Sequence, residues 1–176
     1  MNEALKQAQF AFEEGEIPVG AVIVSKNKII ARAYNQTERL TDVTAHAEIL
    51  AITAAENHLG AKYLTDCKIY ITLEPCPMCA GALYWSQISE VHFAAKDPKR
   101  GFHQCNPAML HPKTKVFSGT LETKAEKLLM DFFQKVAEIG SRAEAAVKAG
   151  EAAQSALAKG MAEVRLIAER ESVKNL

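Results

Sequence analysis

The chain has 176 residues, zero formal net charge, 48% hydrophobic and 24% charged residues. That length suits one domain with room for an extension, and a fold of about 150 residues buries roughly two-thirds of its unfolded surface, so a core forms without staples. Zero net charge argues against a basic coat for nonspecific nucleic-acid binding while leaving local patches open, and no run approaches the roughly eighteen apolar residues of a membrane helix.

Met1 to Lys6 starts an amphipathic helix, with no basic region followed by an apolar stretch, so no signal peptide is expected. Leu5, Ala8 and Phe12 keep helical spacing over residues 3 to 14, and Gly15 ends the helix. Val19 to Val24 reads as a buried strand, Lys26-Asn27-Lys28 as a hairpin turn, and Ile29 to Tyr34 as the returning strand. Residues 35 to 43 are polar and irregular. A helix is expected from Thr44, as N-cap, to about His58, before Gly60. Lys68 to Leu73 forms a third strand. Pro77 suits the first turn of the next helix, which carries Cys79 to Trp85. On that helix Tyr84 and Trp85 read as core or dimer-interface residues. Val91 to Ala95 is a fourth strand and Lys115 to Ser118 a fifth. A long helix follows from about Glu122, with Leu128, Leu129, Phe132, Phe133 and Val136 on its apolar side.

Strands alternating with helices predict an α/β fold with helices on the faces of the sheet, and the initial hairpin makes that sheet mixed. After about Gly140 the character changes. Residues 141 to 176 hold ten alanines and no aromatic residue, proline or cysteine. Ala146, Ala149, Ala153, Leu157, Met161, Val164 and Ala168 make a weak amphipathic stripe that needs a partner surface. Gly150 and Gly160 each cost that helix about 1 kcal/mol relative to alanine.

Two short segments carry the chemistry, His46-Ala47-Glu48 and Pro75-Cys76-Pro77-Met78-Cys79. Cys76 and Cys79, three apart at a helix start, direct both sulfurs to one point, and the helix N-terminus favours thiolates. His46 lies near the start of another helix. Three ligands leave an open position for water, whose pKa zinc lowers toward about 7. Glu48, two positions from His46, projects differently and suits a proton shuttle beside that water. The spacing H-x-E then P-C-x-x-C is the signature of zinc-dependent nucleobase deaminases.

The competing readings are a structural histidine, a redox pair, or a closed structural zinc with a fourth ligand. Cys67, Cys105 and His103 lack the spacing for that fourth ligand, and a redox C-x-x-C has no matching H-x-E. Cys67 and Cys105 remain open to a disulfide. A reducing, cytoplasmic compartment is the expectation, because zinc-binding thiolates and spare cysteines suit it.

Three strings extend the pattern: Gly15 to Val24, Thr44 to Ile52, and Thr72 to Ala82. Together with Asp97-Pro98-Lys99-Arg100-Gly101, Leu110 to Thr114 and Leu128 to Phe133, they resemble bacterial tRNA-specific adenosine deaminases. The resemblance covers about residues 1 to 138. It implies a cytidine-deaminase-like three-layer α-β-α sandwich with about five strands, a homodimer, and conversion of a wobble adenosine in a tRNA anticodon stem-loop to inosine. It assigns Zn2+ to His46, Cys76 and Cys79, and proton transfer to Glu48. Asn35 and Ala47 become substrate-binding positions, although Asn35 alone reads as a turn residue.

The segment from Lys96 to Lys115 holds five basic residues (Lys96, Lys99, Arg100, Lys113, Lys115) against one acid, Asp97. The resemblance makes it an RNA-facing loop, with Lys96, Asp97, Lys99 and Arg100 as contacts and Phe102 as a stacking ring. A solvated charged loop is the bland alternative. The last helix departs from the family. Its usual basic end is replaced by Gln134 to Gly140, and residues 139 to 176 have no counterpart in the resemblance. They read as a natural extension, a fusion or an engineered helix with its junction at Gly140-Ser141-Arg142, and could cover or replace an RNA-binding surface. Two other functions stay open. One is a free-base or nucleoside deaminase for guanine or cytosine, since Leu59 to Leu64 and Ala82 to Trp85 also fit guanine deaminases. The other is a scaffold whose C-terminal helix drives assembly.

Overall fold

A computed structural model describes residues 1–174, with side chains through residue 162. The elements run α1 (Asn2–Glu13), β1 (Gly20–Ser25), β2 (Lys28–Tyr34), α2 (Ala47–Leu59), β3 (Cys67–Leu73), α3 (Pro77–Trp85), β4 (Glu90–Ala95), α4 (Phe102–Cys105), β5 (Lys115–Ser118) and α5 (Glu122–Lys174). The chain divides into two units, Met1–Phe132 and Phe133–Leu176.

In the first unit the five strands are ordered β2-β1-β3-β4-β5. β1 pairs antiparallel with both β2 and β3, while β3, β4 and β5 run parallel. The hairpin closes because Lys26 and Asn27 both adopt positive φ, 47° and 60°. Such turns match the right-handed twist of the flanking strands. The parallel strands need crossovers, which α3 and the segment through α4 supply.

Side-chain alternation sorts the layers. Ile69 and Ile71 of β3, with Val91 and Phe93 of β4, join Ala47, Ala51 and Ala55 of α2 and Leu83 of α3 in one core. A second cluster holds Ala94, Ala95 and Ala125, packed with Met1, Leu5 and Leu73. The sheet is therefore covered on both faces, as the three-layer expectation required. Gly20 faces α1, where an added Cβ would strike the backbone at Ala4 and Ala8. Small residues (Ala4, Ala8, Ala11) on the buried side of α1 allow that close approach.

Several expectations are corrected. Thr44 does not cap α2. Its N–H and Oγ1 both donate to Asp42 Oδ1, at 2.8 and 2.7 Å, and the helix begins at Ala47 with His46 as N-cap. A local side-chain turn outcompeted the cap. Trp85 is 76% exposed, its ring at 80° to that of Tyr84, so the core half of its expectation is overturned and the interface half is left standing. Short helix α4 lies in a segment with no periodic signal. On α5, Phe132 is buried, but Phe133 and Val136 are exposed. Helix α5 continues through Gly140 and Gly150 without a break. All side chains from 133 to 162 are exposed, including Ala146, Ala149, Ala153, Leu157 and Met161 of the expected stripe. Val164 and Ala168 lie outside the residues with described side chains.

Candidate active site and metal centre

Two helix starts meet beyond the C-terminal end of β3. His46 is the N-cap of α2 and Cys76 the N-cap of α3, each in extended conformation. Neither side chain caps its own helix. A capping side chain is ordinarily worth about 1 kcal/mol, so both positions forgo that stabilisation and leave their ligand atoms free. Pro77 occupies the first helical position and sets the turn that brings Cys79 round.

The ligand atoms of His46, Cys76 and Cys79 all lie within 4.8 Å of one another. His46 Nδ1 stands 3.6 Å from Cys76 Sγ and 3.5 Å from Cys79 Sγ. Zinc at ordinary Zn–S and Zn–N lengths with tetrahedral angles separates N from S by about 3.6 Å. The donor set and its spacing therefore fit zinc, with Nδ1 as the imidazole ligand. Among the described residues this is the one such cluster. Cys67 is a free thiol buried in the core and Cys105 a free thiol on the surface, so neither supplies a fourth ligand nor pairs with the other.

Electrostatics prepare the thiols. The hydrogen bond from Cys79 lowers Cys76 to about 4, with His46 adding to the effect. That same bond, with burial, pushes Cys79 up. The cluster thus favours a thiolate at Cys76, the form in which cysteine binds zinc. Glu48 is only 3% exposed. Burial, before any charge effect, pushes its carboxyl up to about 7. It interacts with His46, Cys76 and Cys79 yet does not belong to the ligand cluster.

The structure sorts the remaining sequence candidates. Asn35 is buried, with its amide Nδ2 donating to Glu16 Oε2 at 3.0 Å and Thr37 Oγ1 at 3.1 Å. Gln36 N–H donates to the Ala45 carbonyl at 3.0 Å, which lays this loop beside the residue preceding His46. Ala47 is fully buried, and its methyl packs in the core. Phe102 is likewise fully buried, its ring edge-on to Phe93, and cannot stack on a base. The exposed ring of that loop is His103, 4.1 Å from Phe102 between centroids. Lys96, Lys99 and Arg100 are exposed. Asp97 Oδ1 accepts the N–H groups of Lys99 and Arg100, both at 2.9 Å, so it holds the turn that displays them.

Two buried carboxylates escaped the sequence reading. Glu16 accepts from Asn35, Thr37, and the N–H groups of Glu38 and Arg39. Glu74 accepts from Asp97 N–H at 3.1 Å, His103 N–H at 3.1 Å and His103 Nδ1 at 2.8 Å. Each pins one loop. The available signal was an acid inside an apolar string, Glu16 before Ile17-Pro18 and Glu74 between Leu73 and Pro75.

Residues 1–95 match the family of the cytidine and deoxycytidylate deaminase zinc-binding region. A tRNA-specific adenosine deaminase of Aquifex aeolicus (strain VF5) is 46% identical over 141 residues, 77% of this chain and 93% of that relative. A solved tRNA:A34 deaminase, studied for A-to-I editing at the wobble position, superposes with a TM-score of 0.68 at 40% identity, covering 73% of this chain and 97% of that one. A guanine deaminase structure from Bacillus subtilis is 44% identical over 54% of this chain and 61% of its own, with a TM-score of 0.52. With the ligand triad, the buried glutamate and the five-stranded mixed sheet in place, the chain belongs to the tRNA-specific adenosine deaminases of the zinc-binding cytidine and deoxycytidylate deaminase family.

Proposed function

We infer that this chain is a zinc-dependent hydrolase that converts adenosine to inosine at the wobble position of a tRNA anticodon stem-loop. The observation that carries the reaction is the His46, Cys76 and Cys79 cluster with buried Glu48 beside it but outside the ligand set. The substrate assignment draws on relatives named for tRNA adenosine, matched over nearly their whole length.

Zinc held by the three ligands supplies the acidity that makes a water nucleophilic at neutral pH. The chain does the rest. Glu48 takes the proton of the attacking water and returns protons to the ring nitrogen and the departing amine, so water adds and ammonia leaves. Burial raises its affinity for a proton, which suits a group that must donate as well as accept. Asn35 holds the nucleoside. Lys96, Lys99 and Arg100 are exposed on a loop pinned by Glu74, which suits contacts to phosphate.

Residues 1–138 form the deaminase domain in this reading, and residues 139–176 are an added helix. The working state is a homodimer in the cytoplasm, and the exposed Val147, Leu157 and Met161 give the added helix an apolar side for a larger assembly. A second reading is a guanine deaminase, favoured by the 44% identity to the Bacillus subtilis enzyme over 54% of the chain. An assay of inosine formation in an anticodon stem-loop, run beside free guanine, cytosine and adenosine, separates the two. Turnover of the RNA supports the first reading. Release of ammonia from a free base, with none from the RNA, overturns it.

A further inference from the structure

The basic segment after β4 keeps one ring at its surface, and that ring belongs to His103 rather than Phe102. Glu74, whose side chain is only 4% exposed, fixes one edge of it. Glu74 Oε1 accepts His103 N–H at 3.1 Å and His103 Nδ1–H at 2.8 Å, while Oε2 accepts Asp97 N–H at 3.1 Å. A carboxylate accepts and does not donate, so Nδ1 carries the hydrogen and the edge that faces inward is set. One face is set as well. It packs against the buried Phe102 ring, with centroids 4.1 Å apart and planes tilted by 37°, and Phe93 stands 6.0 Å away. The rest of the ring reaches solvent, the side chain being 43% exposed. A surface histidine ordinarily keeps its rotamer freedom. This one is oriented before any ligand arrives, which lowers the entropy cost of binding.

The ring is also fixed relative to the metal cluster. Glu74 lies two residues before Cys76, so their Cα atoms are at most about 7 Å apart. The Phe102 N–H bonds the Pro75 carbonyl at 2.9 Å, one residue from the same ligand. His103 is therefore tied to the segment that leads directly into Cys76.

The surroundings decide what such a ring meets. Lys96, Lys99 and Arg100 are exposed, and the acid among them, Asp97, has Oδ1 engaged by the Lys99 and Arg100 N–H groups. Among the described residues from 96 to 114, no Leu, Ile, Val, Met, Phe, Tyr or Trp side chain is exposed. A protein partner would find no apolar patch to bury. A preset ring among cations suits an unpaired nucleotide, whose base stacks on the ring while its phosphates meet the charges. Drawing a target base to the metal leaves its neighbour in the strand with one face uncovered. We propose that His103, held by Glu74 against Phe102, is the platform on which the base flanking the target adenosine stacks. The inference rests on the deaminase reading given above.

The test measures kcat and KM on an anticodon stem-loop with the full chain and with His103→Ala, His103→Phe and His103→Lys, each checked for zinc content and thermal midpoint. His103→Ala should raise KM about tenfold and leave kcat nearly unchanged, the loss expected for one base stack outside the reacting atoms. His103→Phe keeps a ring beside Phe102 and should restore most of that loss. His103→Lys supplies charge without a ring and should not. The salt dependence of kcat/KM should be the same in His103→Ala as in the parent, because a stack neutralises no phosphate. Stem-loops with an abasic site on either side of the target add a second measurement. One of them should raise KM about tenfold for the parent and scarcely at all for His103→Ala, as the two changes remove the same contact. An unchanged KM in His103→Ala, rescue by Lys rather than Phe, or an abasic penalty that persists without His103 overturns the proposal while parental inosine formation leaves the RNA reading intact. No inosine from the stem-loop with the parent sinks the underlying reading and the proposal with it.

Discussion

Glu48 is held in a state that water would not favour. Its carboxyl titrates near 4.5 when solvated and at about 7 in the fold, chiefly because of burial. The folded protein therefore keeps this proton longer than the unfolded chain does. Between those two values folding stability falls as pH rises, and above them the loss is complete, on the order of 3 kcal/mol. Glu48→Gln removes that cost. In chelator, where zinc does not draw the carboxylate back toward ionisation, its advantage in thermal midpoint over the parent should be small at pH 5 and larger at pH 8. An advantage independent of pH would mean that burial does not govern this group. With zinc bound, the same variant should hold one metal per chain by elemental analysis yet lose turnover by about 10²–10⁴-fold. Loss of metal from folded Glu48→Gln would instead make Glu48 a ligand. By contrast, His46→Ala, Cys76→Ala or Cys79→Ala should each release zinc.

At the scale of elements, the site depends on how helices begin and how loops are tied. Helices α2 and α3 start at residues whose side chains serve the metal rather than the helix, so neighbouring contacts must hold the first turns. Loop 97–103 is held by Glu74 and by the Phe102 N–H bond to the Pro75 carbonyl at 2.9 Å. Gly101 fits this arrangement because a Cβ there would meet the Glu74 carboxyl and the Asp97 carbonyl. Gly101→Ala should therefore displace Glu74, cost about 1–3 kcal/mol by overpacking, and weaken stem-loop affinity while zinc stays bound. Calorimetry and a binding titration check this, and unchanged affinity would mean that the loop does not touch RNA. Gly60→Ala is a contrasting control. Its added methyl meets nothing within 4 Å, so its effect should come only from the positive φ of 61°.

For the whole molecule, the question is what the second unit adds. The first unit, Met1–Phe132, contains the sheet, both core clusters and every site residue. Residues 133 to 162 are all exposed on a single helix, including Ile139, Val147, Leu157 and Met161. Deleting residues 141 to 176 should leave zinc content and the main thermal transition unchanged. The molecular mass per particle by light scattering should fall by more than the deleted segment, as expected when an assembling helix is removed. An unchanged association state would show that this segment does not drive assembly. No described helix is long and apolar enough to cross a membrane.

The reaction class was legible in the chain because its chemistry is local. His46 with Glu48, and Cys76 with Cys79, sit within a turn of one another, and the backbone alone sets those spacings. Strands β1 to β5 were legible for the same reason, since alternation and turn residues act over a few positions. What needed the tertiary structure was every role that depends on a distant partner. Phe102 looks like a stacking ring in a basic loop, yet its side chain is buried in the core, its ring near-perpendicular to that of Phe93. Thr44 looks like a cap, yet Asp42 claims it. Glu16 and Glu74 have no partner within reach along the chain. They become the clamps of two loops because the fold buries them beside donors 19 to 29 residues away. Sequence spacing by itself determined which atoms could hold zinc. Only the folded chain decided which surfaces surround it, because burial and hydrogen-bond partnership are set by residues that sequence order keeps apart.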